Sequence, residues 1–198
     1  MSKAVLLSVS PSHCFGVLSG GISILIRKSR PKLDVPFKGY IYCTKPKVYL
    51  RDVSLYADEL YRLPSGEVKF GSSIELARYP DQWNKENFLS GKVIGEFTCS
   101  RILPIMIEYS DVNSAVANHE FPYTGMSDKE IMDYLGSGKY GYGLCVTNLV
   151  FYDKPKELSE FKGRKLVWRG NNHIHAYETI TRPPKSWCYV EDLESAAP

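Results

Sequence analysis

The apolar residues of this chain fall into short runs, most of them rich in β-branched or aromatic side chains. Runs of this length, bounded by Gly, Pro and Ser, are typical of β-strands rather than of helices. The pattern predicts six strands, at residues 3–9, 22–27, 37–44, 92–100 with a continuation through 107, 142–152 and 186–190. Strands should therefore dominate the fold.

Two short helices are predicted between these strands. Ser10 or Ser12 can cap a helix of one or two turns that runs through Leu18, because a serine hydroxyl accepts from the free N–H groups of the first turn. The second helix, over 127–135, begins with a Ser127–Glu130 capping box and ends at Gly136.

Two stretches show no sustained period, at about 46–90 and about 157–181. We interpret the first as an insertion that holds short hairpins, and the second as a polar excursion before the last strand. Six or so short strands with few short helices favour an α+β fold built on a small barrel or a curled mixed sheet. A length of 198 residues suits a single domain over 1–198.

Composition and charge exclude several classes of protein. The net charge is +3, from 25 basic and 22 acidic residues, and no apolar run is long enough for a transmembrane helix. The apolar run at the N-terminus is too short for the core of a signal peptide. The five cysteines are odd in number and show no CxxC spacing, which predicts reduced, mostly buried thiols in a cytoplasmic protein.

The positive charge is unevenly distributed. Residues 27–51 contain eight basic residues and one acidic residue, so the remainder of the chain is net negative. Phe37, Tyr40, Tyr42 and Tyr49 alternate with these cations. Basic residues attract phosphate and aromatic faces stack on bases, so an anionic ligand is one interpretation. The alternative is a solvated strand edge that Lys and Arg protect from aggregation.

Other candidate chemistry is sparse. His173 and His175 would face one side of a strand, as metal ligands can, but no third ligand is evident and no metal is predicted. The sequence has no phosphate-loop, zinc, dinucleotide or nucleophile-elbow motif. We therefore predict no cofactor.

Several segments together resemble the ASCH family of PUA-like barrels. The first is a strand followed by Ser-x-x-Pro at Ser8–Pro11, a short helix, glycines and a β-branched strand ending at Arg27-Lys28. Further matching segments are Arg30–Lys32, Pro36–Lys45, Gly91–Cys99, Tyr152–Leu158 and Arg182–Val190. In combination they are similar to a branch of small ASCH proteins often carried by bacteriophages and prophages.

The resemblance implies a pocket for RNA or for a modified nucleotide. Some members of the family are amidohydrolases that act on acetylated cytidine, and some have been linked to ribonuclease activity. The usual motif after the glycine places a Lys and a Glu or Thr ahead of an Arg. Here Ile22 stands at the Lys position and Leu25 at the Glu position, and only Arg27 is retained. An apolar side chain neither activates a nucleophile nor moves a proton, so the resemblance implies loss of that hydrolase chemistry.

We therefore expect a binder of RNA or of a nucleotide-type small ligand, with no catalytic residues. Arg27, Lys28 and Arg30 would hold the anionic part, and Ile22, Leu25 and an aromatic residue such as Tyr42 or Trp187 would enclose the base. The remaining candidates for ligand contact are His13, Ser23, Lys45 and Glu96.

Two other functions stay open. A ribonuclease or nucleoside amidohydrolase could use Glu96, Lys45 and His13, which requires the first two side chains to converge in one cleft. A protein-interaction module acting on a host factor would instead present a flat basic surface. An exposed tyrosine-rich strand would also allow a homodimer.

Overall fold

The computed structural model describes residues 3–45, 49–52, 74–77, 89–108, 111–114, 124–136, 140–169 and 172–193. The strands in this part of the chain are β1 Lys3–Val9, β2 Ile24–Arg27, β3 Phe37–Cys43, β4 Tyr49–Asp52, β5 Ile74–Ala77, β6 Val93–Glu108, β7 Asp111–Ser114, β8 Tyr140–Lys156, β9 Lys162–Arg169, β10 Asn172–Thr179 and β11 Trp187–Glu191. Two α-helices, α1 Pro11–Leu18 and α2 Asp128–Leu135, and a 3₁₀ turn at Leu158–Glu160 accompany them.

One mixed sheet carries most of these strands. Its order is β10-β9-β11-β1-β3-β6-β8-β2, with β7 paired to β6. The β1–β3 pair is parallel, and the other pairs of this sheet are antiparallel. The antiparallel pair β4–β5 forms a separate two-stranded sheet.

The main sheet curls around its largest apolar cluster. Alternate residues of β1, β2, β3, β6 and β8 meet there, which requires the two ends of this five-strand segment to approach each other. Helix α1 covers the cluster with Cys14 and Val17, while Ile131 and Leu135 of α2 pack on the outer face of the sheet. β2 therefore lies close to the β1–β11 pair, although the three strands are not neighbours in the sheet.

The expected barrel is not closed. In the described part of the chain no hydrogen-bonded ladder joins β2 to β1 or β11, since both edges of β1 are already occupied by β3 and β11. We call this gap the seam. Hydrogen bonds of three side chains bridge it. Arg27 donates to the carbonyl of Ser8, the indole of Trp187 donates to the carbonyl and the hydroxyl of Ser29, and the hydroxyl of Tyr189 accepts from the backbone N–H of Lys32.

The predicted strands and helices agree with the structure, whereas the predicted closed barrel does not. All six strands and both helices are confirmed, with Ser10 capping α1 and the Ser127–Glu130 capping box opening α2. No strand was predicted over Lys162–Arg169 or Asn172–Thr179, yet these residues pair as β9 and β10. Most of residues 46–90 lies outside the described residues. The predicted free thiols are confirmed, with four of the five cysteines buried.

Candidate functional site

A pocket of about 230 Å³ opens at the seam, where the end of β1, the end of β2 and the residues before β11 meet. We call it the Arg27 pocket. Its lining comes from four places: β1 and the start of α1, β2, α2 with the loop before it, and the residues just before β11. The lining residues are Ser8, Val9, Ser10, His13, Leu25, Ile26, Arg27, Met126, Tyr134, Lys185 and Ser186.

Arg27 is the central group of this pocket. On β2, Leu25 and Arg27 alternate with outward-facing residues, so both side chains project toward the inner face of the sheet. Arg27 is only 9% exposed. One of its terminal nitrogens donates to the carbonyl of Ile26 at 2.7 Å and the other to the carbonyl of Ser8 at 3.0 Å.

The described residues supply no counter-ion for this buried cation. No carboxylate among the described residues pairs with Arg27, and its Nε is buried without a hydrogen-bond partner. Burial lowers the pKa of Arg27, although an arginine stays protonated at neutral pH. Taking an unpaired charge out of water costs several kcal/mol.

The polar groups around Arg27 also favour an anion. The hydroxyl of Ser10 lies 2.8 Å from Nδ1 of His13, and Lys185 adds a second cation to the lining. Burial first, and then the charge of Arg27, lowers the pKa of His13, while Glu130 opposes this shift. These effects together favour the neutral form of His13.

The predicted site residues divide into those at the pocket and those elsewhere. Three line it: His13, Leu25 and Arg27. Lys28 lies beside it, exposed, with its ammonium 5.1 Å from the ring centre of Tyr134. The guanidinium of Arg30 lies 5.9 Å from the ring centre of Tyr142, outside the lining.

Ile22 and Ser23 do not line the pocket. Ile22 is buried in the main core, wedged beside Gly16 of α1 and Gly125 so closely that a Cβ at either glycine would clash with it. The carbonyl of Ser23 accepts a hydrogen bond from the N–H of Val146. The Lys position of the family motif is therefore a packing position here.

Tyr42, Lys45 and Glu96 lie away from the pocket. Tyr42 is buried in a second apolar cluster on the opposite face of the sheet, and Glu96 accepts a hydrogen bond from Tyr152 at 2.6 Å and pairs with Lys38 at 3.3 Å. Glu96 makes no contact with Lys45, so the convergence that the hydrolase hypothesis required is not found.

Trp187 acts on the pocket indirectly. Its indole N–H donates to the carbonyl of Ser29 at 3.1 Å, which ties the loop after β2 to β11 across the seam. The side chain is half-buried against the core and contacts Tyr189 edge to face. It therefore shapes the wall of the seam and does not line the pocket itself.

Eight lining residues were not predicted as ligand contacts: Ser8, Val9, Ser10, Ile26, Met126, Tyr134, Lys185 and Ser186. Ser10 carried a signal as a helix cap and Tyr134 as part of the apolar face of α2. Lys185 and Ser186 carried none, because they reach the pocket only through the pairing of β11 with β1.

Two further observations concern metals and membranes. His173 and His175 lie on β10, and the described residues contain no group of three His, Cys, Asp or Glu side chains that could hold a metal ion. Within the same residues no helix is long and apolar enough to cross a membrane.

No model of a known protein family matches the chain, and no curated protein sequence matches it. Solved structures do match. ASCH from Zymomonas mobilis aligns with a TM-score of 0.51 at 14% identity, covering 97% of this chain and 90% of that chain. A tyrosine-to-phenylalanine mutant of that protein aligns with a TM-score of 0.54 at 13% identity, covering 97% and 93%. A serine-to-alanine mutant aligns with a TM-score of 0.53 at 13% identity, covering 97% and 91%. The predicted resemblance is thus confirmed at the level of architecture, and this chain has the α+β, PUA-like fold of the ASCH proteins.

Proposed function

We propose that this chain binds RNA or a nucleotide-type ligand in the Arg27 pocket and leaves it chemically unchanged. The observation that carries the proposal is the buried Arg27, for which the described residues supply neither a carboxylate partner nor an acidic residue in the lining of the pocket. Arginine presents several N–H donors in a plane, a geometry suited to phosphate oxygens.

The rest of the lining suits a nucleotide better than a simple anion. Val9, Leu25, Ile26 and Met126 supply apolar surface next to the cation, and Tyr134 supplies an aromatic ring. Pockets that enclose drug-sized ligands hold about 300–1,000 Å³. At about 230 Å³ the Arg27 pocket is smaller than this range, so it would enclose only part of a nucleotide and the rest of the ligand would lie on the surface.

Binding without turnover is favoured by the apolar residues that replace the family's polar ones. Ile22 is buried in the core and Leu25 is 1% exposed at the floor of the pocket. Neither can activate a nucleophile. In a phage-encoded protein, such a site could sequester a nucleotide signal of the host.

The test begins with native mass spectrometry of the freshly purified chain, followed by heat release and identification of any bound molecule. Calorimetric titrations with inorganic phosphate, the four ribonucleoside monophosphates and a short RNA follow. We expect sub-micromolar binding of at least one nucleotide or RNA, and recovery of that ligand unaltered. A chemically altered ligand would contradict binding without turnover, and no binding across the whole panel would refute the proposal.

A matched pair of variants assigns any binding to the pocket. Arg27→Met removes the buried guanidinium, and Arg30→Met makes the same change at an exposed arginine three residues later. We expect the first variant to lose binding and the second to retain it.

A further inference from the structure

The β9–β10 hairpin exposes more apolar surface than a solvated edge of a sheet normally does. Its eight residue pairs are joined to the main sheet by the Val190–Gly163 bridge. Trp168 is 70% exposed and Leu166 is 58% exposed. Tryptophan is seldom left open to solvent unless it contacts a partner.

One face of the hairpin carries its aromatic residues. Since side chains alternate along a strand, Arg164, Leu166 and Trp168 project to the same side of the hairpin. Their cross-strand partners, Tyr177, His175 and His173, project to that side as well. The rings of Trp168 and His173 lie 3.7 Å apart between centres. The guanidinium of Arg164 lies 5.8 Å from the ring centre of Tyr189, which extends this face onto β11.

The hairpin is also strongly basic. Residues 162–179 contain four basic residues and one acidic residue, for a net charge of +3 that equals the net charge of the whole chain. Lys165 is paired with Glu178 at 2.8 Å and Lys162 with Glu191 at 3.8 Å, whereas no carboxylate among the described residues pairs with Arg164, which lies on the aromatic face. A surface of this charge attracts a polyanion and opposes a second copy of itself.

The hairpin runs toward the Arg27 pocket. Strand β9 is antiparallel to β11 and leaves it at the Val190–Gly163 bridge. From that bridge β9 proceeds toward Trp168, in the direction in which β11 leads back to Lys185 and Ser186 of the pocket. The aromatic face and the pocket therefore belong to the same end of the sheet.

We propose that this face, formed by Trp168, His173, Leu166 and Arg164, stacks the unpaired bases of a single-stranded RNA. The inference rests on the proposed function, because part of one nucleotide of the same strand would occupy the Arg27 pocket. Aromatic rings stack on any base, and Arg164 and the net charge of the hairpin attract the backbone. The ligand is then a strand of several nucleotides rather than a free mononucleotide.

The test compares a 12-nucleotide fluorescein-labelled RNA with the mononucleotide that binds best. Trp168→Ala should weaken RNA binding about 5- to 150-fold in fluorescence anisotropy, the equivalent of about 1–3 kcal/mol per stacked base. It should leave mononucleotide binding unchanged, and Trp168→Phe should restore most of the RNA affinity. The control is Tyr140→Ala, which removes an aromatic ring that is 63% exposed on β8.

The outcomes separate the two proposals. If Trp168→Ala binds the RNA as the native chain does while Arg27→Met loses it, the hairpin inference is overturned and the pocket stands. If Arg27→Met binds both ligands normally while Trp168→Ala loses the RNA, the pocket is overturned and the hairpin stands. A native dimer that Trp168→Ala converts to a monomer without change in RNA affinity would assign the face to a second copy and overturn the inference. Tighter binding of a DNA strand of the same sequence would overturn RNA as the occupant.

Discussion

Replacing Arg27 with Met should separate the stability of this protein from its binding. In the native chain the guanidinium donates to two backbone carbonyls, those of Ser8 and Ile26. Hydrogen bonds from a charged donor contribute about 1.5–3 kcal/mol each. Against this stands the desolvation of a buried, unpaired charge, which costs several kcal/mol.

The two terms are similar in size and opposite in sign. Without ligand, we therefore expect Arg27→Met to change the free energy of unfolding by no more than about 2 kcal/mol. For a chain of this length that corresponds to about 4–8 °C in Tm, in either direction.

With ligand the difference should be clear. A ligand at a hundred times its Kd stabilises the native chain by about 2.7 kcal/mol, or about 5–11 °C. Loss of a buried charge pair weakens binding by about 2–5 kcal/mol, which is about 30-fold or more. The same ligand concentration should then stabilise Arg27→Met by less than about 1 kcal/mol.

The assay is thermal unfolding with and without the best-binding nucleotide, in the native chain, Arg27→Met and Arg30→Met. Retention of the full ligand-induced shift in Arg27→Met would refute the assignment of Arg27 to the ligand. Destabilisation of the ligand-free variant by more than about 5 kcal/mol would show instead that the guanidinium is chiefly a structural group.

Three further predictions concern titration, reactivity and packing. Because burial lowers the pKa of His13 in the folded chain, the unfolded chain takes up the proton first, and the free energy of unfolding should fall as the pH falls below about 6.5. Chemical denaturation should show a smaller fall in His13→Gln. An unchanged pH profile in this variant would contradict the prediction. Burial raises the pKa of Cys99 to about 12, so at pH 8 this buried thiol should react with a disulfide reagent only as fast as the chain unfolds. Rapid labelling of Cys99 in the native chain would refute its burial. A Cβ at Gly95 would lie 2.4 Å from a backbone oxygen of β8, whereas Gly20 has a φ of +75° but open space around it. Gly95→Ala should therefore lower Tm more than Gly20→Ala. Equal losses of Tm would show that the β6–β8 contact relaxes.

The local elements could be predicted because their signals are short-range. Ser10 and the Ser127–Glu130 pair mark the beginnings of helices within four residues, and β-branched runs mark strands. The β9–β10 hairpin was missed because its apolar residues stand among basic and polar ones, as in the consecutive Leu166-Val167-Trp168 flanked by Lys165 and Arg169, without the strict alternation that marks a half-buried strand.

The site was harder to predict than the fold. Arg27, His13 and Leu25 were expected at the pocket and are there. Glu96 and Tyr42 were expected there too, but strand alternation sends them to the opposite face of the sheet, where Lys38 and the second apolar cluster engage them. A register set by long-range pairing determines which face a residue takes, and a single amino-acid sequence does not reveal that register.

At the seam, the two ends of the curled sheet are held together by side-chain hydrogen bonds, so the curvature of the sheet depends on those side chains. In a closed barrel, a backbone ladder holds the two ends of the sheet together. Here Arg27 donates across the seam to the carbonyl of Ser8, and the same side chain lines the pocket. A ligand that uses the free Nε would tighten the closure, and one that draws the guanidinium away from the carbonyl of Ser8 would loosen it. Amide hydrogen exchange along β2 would then report which ligand is bound, and occupancy of the pocket would be transmitted to the shape of the sheet.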